Sequence, residues 1–432
     1  INIRMFRPME SYQKYGGVLT FARSVGYAVV KKPEGYTTAK VDQIIQEYEK
    51  KSANEQQSTV KQYPNIITVV NETFADIKVL GDFKTNEDYM PYFHSLKKNC
   101  VTGYTYASIV GGQTANTEFE LLTGNTLGFL SAGTTAFQLY IHGQMPSLVS
   151  NLKAEGYSGN KAMHPFNPYN YNRPAVYKDF GFTDFIDKFD FPKNVKRVRE
   201  YISDEANVDR IISEYEKNRK KTDQPFYMYN MTIQNHSPYD KDAANFKQPI
   251  KIESSKYDAE ANRYLNLIKY SDDSLKQLTS YFEKCKEPTI ILFLGDHQPR
   301  LTDEFMNKIT NGQYQTWSSE QMMKRYQVPF VIWANYDIKE QHIEKTSMNY
   351  IQSILTKTAG VKMTGYQRFL NEVRKEVPTI TSQGYWGKNG KFYQINDKGS
   401  PYYGIIQKYR MIQYNMMFDK KNRRDSFFEV SK

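Results

Sequence analysis

From Pro64 onward the chain alternates short apolar runs with longer amphipathic stretches, and this alternation restricts the folds open to it more than any other feature. The runs Ile66–Val70, Phe226–Ile233, Thr289–Leu294 and Val328–Trp333 are rich in β-branched and aromatic residues, as strands buried within a sheet are. Helix candidates lie between them at Asp88–Lys98, Ala115–Leu122, Met145–Glu155, Asn194–Asn218, Ala259–Lys284 and Thr302–Thr310. Strands separated by helices at this spacing predict an α/β fold with a mainly parallel sheet sandwiched by helices. Ligands of such sheets bind beyond the carboxyl ends of the strands. The residues that follow each apolar run are therefore the first place to look for chemistry.

The flanks differ from this centre. Residues 1–62 read as a stalk or linker: apolar residues mix with Gly16, Gly17 and Gly26, the Thr37-Thr38 pair caps a helix through Ile44, Ile45 and Tyr48, and a polar run from Lys50 to Lys61 follows. Residues 63–362 form the expected catalytic domain. Residues 363–432 form a small C-terminal subdomain, helical at first and then hairpin-like around the Asn389-Gly390 turn pair.

Charge and cysteine usage narrow the functional classes. Lys and Arg number 58 against 47 Asp and Glu, a net charge of +11, which gathers anions of any kind. The basic residues are scattered, and the densest run, Lys420–Asp425, reads as a solvated tail, which argues against nucleic acid as a partner. Tyr and Phe raise the aromatic share to 15%, which suits a polyhydroxylated ligand and equally suits an ordinary core. Two cysteines, Cys100 and Cys285, exclude a disulfide framework and leave a single bridge open. No stretch approaches the roughly 18 apolar residues of a membrane span. The chain starts at Ile1 rather than Met, so it is read as an excised fragment of a longer protein, and any membrane helices upstream would lie outside this sequence.

Four places combine a strand end or helix start with reactive side chains. Glu72 directly follows the first apolar run, where it either holds a divalent cation or caps the next helix. Asp296 and His297 follow the ILFLG run and offer a cation one carboxylate oxygen and one imidazole. Thr114 comes after Gly111-Gly112-Gln113 and just ahead of an amphipathic stretch. A helix N-terminus there would stabilise an attacking alkoxide and a phosphate oxygen, although Thr114 also reads as a plain N-cap and Thr117 is its rival. His236 ends the YMYNMTIQNH segment and suits phosphate binding or proton transfer.

In this order, NETF, GGQTANTEFELLTG and GDHQPR resemble the lipoteichoic acid synthase-like phosphoglycerol transferases of Gram-positive bacteria, a branch of the alkaline phosphatase/sulfatase superfamily. The resemblance covers roughly residues 64–360. It implies a single divalent cation, usually Mn²⁺ with Zn²⁺ or Mg²⁺ as alternatives, on Glu72, Thr114, Asp296 and His297. It also implies Thr114 as nucleophile, His236 as a pocket histidine, and His164, Asn172 and Arg173 as the glycerol phosphate-binding element within MHPFNPYNYNRP. The implied donor is phosphatidylglycerol, the acceptor a cell-wall polysaccharide or lipoteichoic acid, and the place the outer face of the cell membrane. Phe166 and Tyr171 stand where lipoteichoic acid synthases carry Asp and Trp, a departure that favours a polysaccharide acceptor.

Other chemistries fit less well. Neither Cys100, followed by Val-Thr-Gly, nor Cys285, followed by Lys-Glu-Pro, sits in the Cys-x-Pro-x-Arg setting a sulfuric-ester hydrolase needs. Six histidines leave too few ligands for a second metal site. A phosphodiesterase using the same threonine, and a non-catalytic polymer-binding domain, remain as alternatives.

Overall fold

The computed structural model describes residues 30–53, 60, 62–253 and 259–430, with residues 13, 14 and 16. In chain order the strands are β1 Asn65–Asn71, β2 Cys100–Tyr106, β3 Ser158–Met163, β4 Asp184–Ile186, β5 Arg197–Val198, β6 Tyr201–Ile202, β7 Phe226–Met231, β8 Thr289–Gly295, β9 Gln327–Ala334, β10 Gln341–Ser347, β11 Thr379–Thr381, β12 Gly384–Trp386 and β13 Phe392–Tyr393. Eight of them form one sheet in the order β10-β2-β9-β8-β1-β7-β3-β4. β1 lies at its heart, with Ile66 beside Tyr227 on one side and Ile290 on the other, both pairings parallel. Only β9 runs against the rest, antiparallel to both β2 and β8.

Successive side chains of a strand point to opposite faces, and the apolar runs fill both. Ile66, Val70, Tyr229, Ile290 and Leu292 join one core cluster, whereas Ile67, Val69, Met228, Ile291 and Phe293 join another. Helices Thr114–Thr123, Leu148–Ala154, Arg173–Phe180 and Met348–Ala359 cover the first face, and Asp204–Arg219, Ala259–Phe282 and Asp303–Ile309 the second. Each fully buried aliphatic or aromatic side chain contributes about 1.5–3 kcal/mol. The α/β class expected from the sequence is the one found.

Several element readings need correction. β2, β3, β4 and β10 were not among the expected strands. The Asp88–Lys98 helix shrinks to Pro91–Ser95, because Pro91 starts it and Leu96 is already extended (φ −70, ψ 118). The Asn194–Asn218 helix begins only at Asp204, where Ser203 accepts from the Ala206 N–H; the residues before it form the β5–β6 ribbon instead.

The flanks fold onto the same core. Helix Thr38–Lys51, capped by Thr37 as the sequence predicts, buries Val41, Ile44 and Tyr48 against the C-terminal helices Gly365–Glu376 and Tyr403–Phe418. Most of residues 1–29 and the Asn54–Thr59 segment of the expected stalk lie outside the described residues. The C-terminal part carries its own sheet, β11-β12-β13, but its helices share the first core cluster with the central sheet. Tyr366 and Tyr409 both donate to the carbonyl of Gly124, at 2.8 and 2.6 Å, clamping the end of the Thr114–Thr123 helix. Cys100 and Cys285 are both free thiols. Among the described residues no helix is long and apolar enough to cross a membrane.

Candidate active site

The carboxyl edge of the sheet brings Glu72, after β1, beside Asp296 and His297, after β8. Gly295 makes this possible, since a Cβ there would stand 1.8 Å from the Phe74 carbonyl oxygen. Thr73, with φ 56, turns the chain so that its N–H donates to Asp296 Oδ1 at 2.7 Å, and the His297 N–H reaches the same oxygen at 2.8 Å. The Thr73 hydroxyl donates to Glu72 Oε1 at 2.9 Å. His297 Nδ1 faces the Gln298 carbonyl at 2.9 Å and so is the donor there, which leaves Nε2 as the ring nitrogen on the side of the carboxylates.

What these bonds leave over is informative. Asp296 Oδ2 and His297 Nε2 are buried and have no hydrogen-bond partner, yet they stand 3.2 Å apart, with Glu72 Oε1 3.8 Å from Nε2. One ligand atom from each of the three residues lies within 4.8 Å of the others. Burial, and then the charge of Asp296, push the Glu72 carboxyl up to about 8. Two buried carboxylates and an imidazole lone pair at one point fit a divalent cation, which would supply the partner these atoms lack.

Thr114 meets this cluster from beyond β2, two places from β8 in the sheet. After β2 the chain passes through Gly111, Gly112 and Gln113, all with positive φ (68, 143 and 67°), and Thr114 opens the helix. Its hydroxyl lies 3.5 Å from Glu72 Oε2. The rival Thr117 is occupied: its hydroxyl donates to the Asp296 carbonyl at 2.8 Å, away from the cleft. Thr114 lines a cleft of about 600 Å³ together with Glu72, His164, Phe166, Arg173, His236, His297 and Arg300.

The remaining expected residues separate. His164 and His236 both face the cleft, each with Nδ1 held by a carbonyl, Met231 O at 2.9 Å and Ser237 O at 2.7 Å. Burial keeps both imidazoles below their ordinary pKa, His164 well below, so both are neutral at pH 7. Arg173 also lines the cleft, but its Nε and Nη2 bind Glu118 Oε1 at 3.1 and 2.7 Å. Burial alone would lower the pKa of this guanidinium; the Glu118 charge overrides it. Asn172 is not brought to the cleft: it is exposed, with φ 59, and its neighbours Asn170 and Tyr171 line the wall instead.

Sequence reasoning passed over Glu118 and Arg300. Nothing in ANTEFELL marks Glu118 as the partner of Arg173, 55 residues away. Arg300 stood within the GDHQPR motif without a role.

The fold and the cluster together describe an alkaline phosphatase-like domain with a candidate cation site and a threonine at a helix start. Residues 64–361 match the Sulfatase family, and the chain belongs to it. Its relatives include a Rhizobium meliloti protein assigned to cyclic beta-1,2-glucan modification, 30% identical over 98% of this chain and 65% of that protein. The lipoteichoic acid synthase of Staphylococcus aureus is 28% identical over 43% of this chain and 28% of its own length. The chain thus spans less than two thirds of these relatives. Among solved structures, the Streptococcus pyogenes phosphoglycerol transferase GacH, in complex with sn-glycerol-1-phosphate, shares the fold with a TM-score of 0.74 at 21% identity, over 93% of this chain and all of that one. The lipoteichoic acid synthase LtaP of Listeria monocytogenes does so with a TM-score of 0.62 at 19% identity, over 90% and 98% of the two chains.

Proposed function

We propose that this chain is the extracellular catalytic part of a membrane-attached transferase that moves glycerol phosphate from phosphatidylglycerol to a cell-wall polymer through a phosphothreonine at Thr114. The observation that carries the proposal is the Thr114 hydroxyl at a helix start, 3.5 Å from Glu72, in a cleft shared with His164, His236 and His297. Likeness to phosphoglycerol transferases and lipoteichoic acid synthases supports the substrate class.

Glu72, Asp296, His297 and the Thr114 oxygen would hold the divalent cation, Mn²⁺ by resemblance, with Zn²⁺ or Mg²⁺ as alternatives. Bound there, it would lower the pKa of the threonine hydroxyl and offset phosphate charge. Thr114 Oγ1 attacks phosphorus as the bond to the diacylglycerol oxygen breaks, and the threonine proton ends on that oxygen. An acceptor hydroxyl then attacks, the bond to Thr114 breaks, and Thr114 regains a proton. His236, neutral and with Nε2 free of the Ser237 carbonyl, suits the transfer of the acceptor proton. The helix N–H groups behind Thr114 favour charge on the transferred phosphoryl oxygens. His164 and Arg173 would orient the glycerol phosphate. Phe166 stacks on His236 with ring centroids 6.1 Å apart, and this aromatic wall, with the glucan-modifying relative, favours a polysaccharide acceptor over lipoteichoic acid.

The test is diacylglycerol release from a fluorescent phosphatidylglycerol, with Mn²⁺ or EDTA and with or without polysaccharide. The proposal expects cation-dependent release and label on the polymer. Release with glycerol phosphate going only to water would make the protein a phosphodiesterase. Bound cation without any release would favour a binding role.

A further inference from the structure

Among the described residues two arginines line the cleft, Arg173 and Arg300. Arg173 is compensated by Glu118, and both side chains are almost wholly buried, at 2% and 0% exposure. It can still donate a hydrogen bond, but the pair brings no net charge to a ligand. Arg300 is different. It is exposed, and among the described residues no hydrogen bond or ion pair engages it.

Its root is nevertheless fixed. The buried Gln298 donates from Nε2 to the carbonyls of Lys324 and Gln327, at 2.7 and 2.8 Å, while its own carbonyl accepts the Gly111 N–H at 3.0 Å. Pro299 then sets the backbone ahead of Arg300. A Cβ on Gly111 would stand 3.0 Å from Arg300 Cβ, so the arginine lies directly against the loop that delivers Thr114. A clamped stem carrying an exposed charge that no hydrogen bond or ion pair engages, on a residue that lines the cleft, is an arrangement for meeting an anion.

Charge accounting points the same way. Glu72 and Asp296 would balance a divalent cation, and Glu118 balances Arg173. Arg300 is left over, one positive charge against the single negative charge of a phosphodiester. Guanidinium also matches phosphate oxygens through paired donors, which an ammonium does not.

We propose that Arg300 is a specificity-determining residue that binds the non-reacting anionic oxygens of the phosphate ester seated over Thr114. The proposal rests on the glycerol phosphate reading above. The same chemistry occurs in free glycerol phosphate and in a lipid headgroup, so both are tested. Calorimetry would measure sn-glycerol 1-phosphate binding to the Mn²⁺-loaded protein, to Arg300→Gln and to Arg300→Lys, beside the kinetics of each on phosphatidylglycerol vesicles.

Arg300→Gln is expected to weaken glycerol phosphate binding about 10- to 100-fold, the scale of one charged hydrogen-bonding partner. KM for the lipid should rise in parallel while kcat changes much less. Arg300→Lys should restore part of the affinity, and the melting temperature should stay at the wild-type value, since Arg300 holds nothing else in place. Unchanged affinity and KM in Arg300→Gln would overturn the proposal. So would a loss seen with vesicles but not with soluble glycerol phosphate, which would make Arg300 a contact to the lipid surface. A fall in melting temperature matching the lost affinity would make its role structural and overturn it too. Wild-type protein that neither binds glycerol phosphate nor releases diacylglycerol would overturn the functional reading itself.

Discussion

Glu118 and Arg173 meet inside the wall of the cleft, where Glu118 also accepts from the hydroxyls of Tyr177 and Tyr229 at 2.5 and 3.1 Å. Removing one charge from such a pair strands the other away from water. Glu118→Gln should therefore lower stability by about 3–5 kcal/mol, measured by urea unfolding, and Arg173→Met in the same chain should recover part of the loss. At the opposite extreme of exposure, the half-exposed His94 binds Asp76 at 3.6 Å and Asp88 at 2.8 Å. The Asp76 carboxylate, against the lowering by burial and with help from Asp88, pushes His94 up to about 9. Because the folded pKa is the higher one, its stabilisation is complete below the unfolded value of about 6.5 and is lost as pH rises through about 9. His94→Gln should thus destabilise the protein at pH 6 and make little difference at pH 10. The same loss at both pH values would rule this out.

At the scale of elements, the end of β8 has least freedom. Gly295→Ala would drive a methyl into the Phe74 carbonyl and displace Asp296 and His297. It should cost at least the ~1–3 kcal/mol of ordinary overpacking, and it should weaken Mn²⁺ binding by calorimetry even where the protein still folds. β1, β7, β8 and β9 were legible because burial on both faces makes them continuous apolar runs. β10 was not, since its Gln-His-Ile-Glu-Lys pattern leaves most side chains exposed at a sheet edge. β3 was hidden by Gly159 and Asn160, both at positive φ where its pairing to β7 shifts register. The reversed direction of β9 has no local signature, because antiparallel and parallel buried strands share a composition. The site was more legible than the sheet. Glu72, Thr114, Asp296, His297 and His236 each follow an apolar run or open a helix, His164 was named by the family resemblance alone, and the cleft gathers all of them except Asp296 among its lining. Asn172 failed to arrive because, between the buried Tyr171 and Arg173, it alone is exposed, at a left-handed φ of 59°. Glu118 was invisible because its role depends on a contact distant in sequence.

Over the whole molecule, the C-terminal segment holds the far end of the helix that Thr114 opens. The C-terminal helices hold Gly124 through Tyr366 and Tyr409, and Gln413 bonds both the N–H and the carbonyl of Thr126 at 2.8 and 2.9 Å. Phe369, Leu370, Ile406, Tyr409 and Ile412 complete the core that Phe119 and Leu122 begin. The helical stretch and the Asn389-Gly390 turn pair marked this tail as a separate subdomain, but they could not reveal what its apolar helix faces pack against. A chain ending at Lys362 should therefore lose cooperative unfolding or become insoluble, whereas a self-sufficient 63–362 domain would unfold in one sharp transition. Circular dichroism during thermal denaturation distinguishes the two.

The central claim is that Thr114 carries the transferred group. Intact-mass and peptide mass spectrometry of the protein after Mn²⁺ and phosphatidylglycerol, without acceptor, tests it most directly. The account predicts a glycerophosphate adduct on the peptide containing Thr114, absent from Thr114→Ala and discharged by acceptor. Diacylglycerol release that survives Thr114→Ala, or an adduct on Thr117 instead, would contradict it.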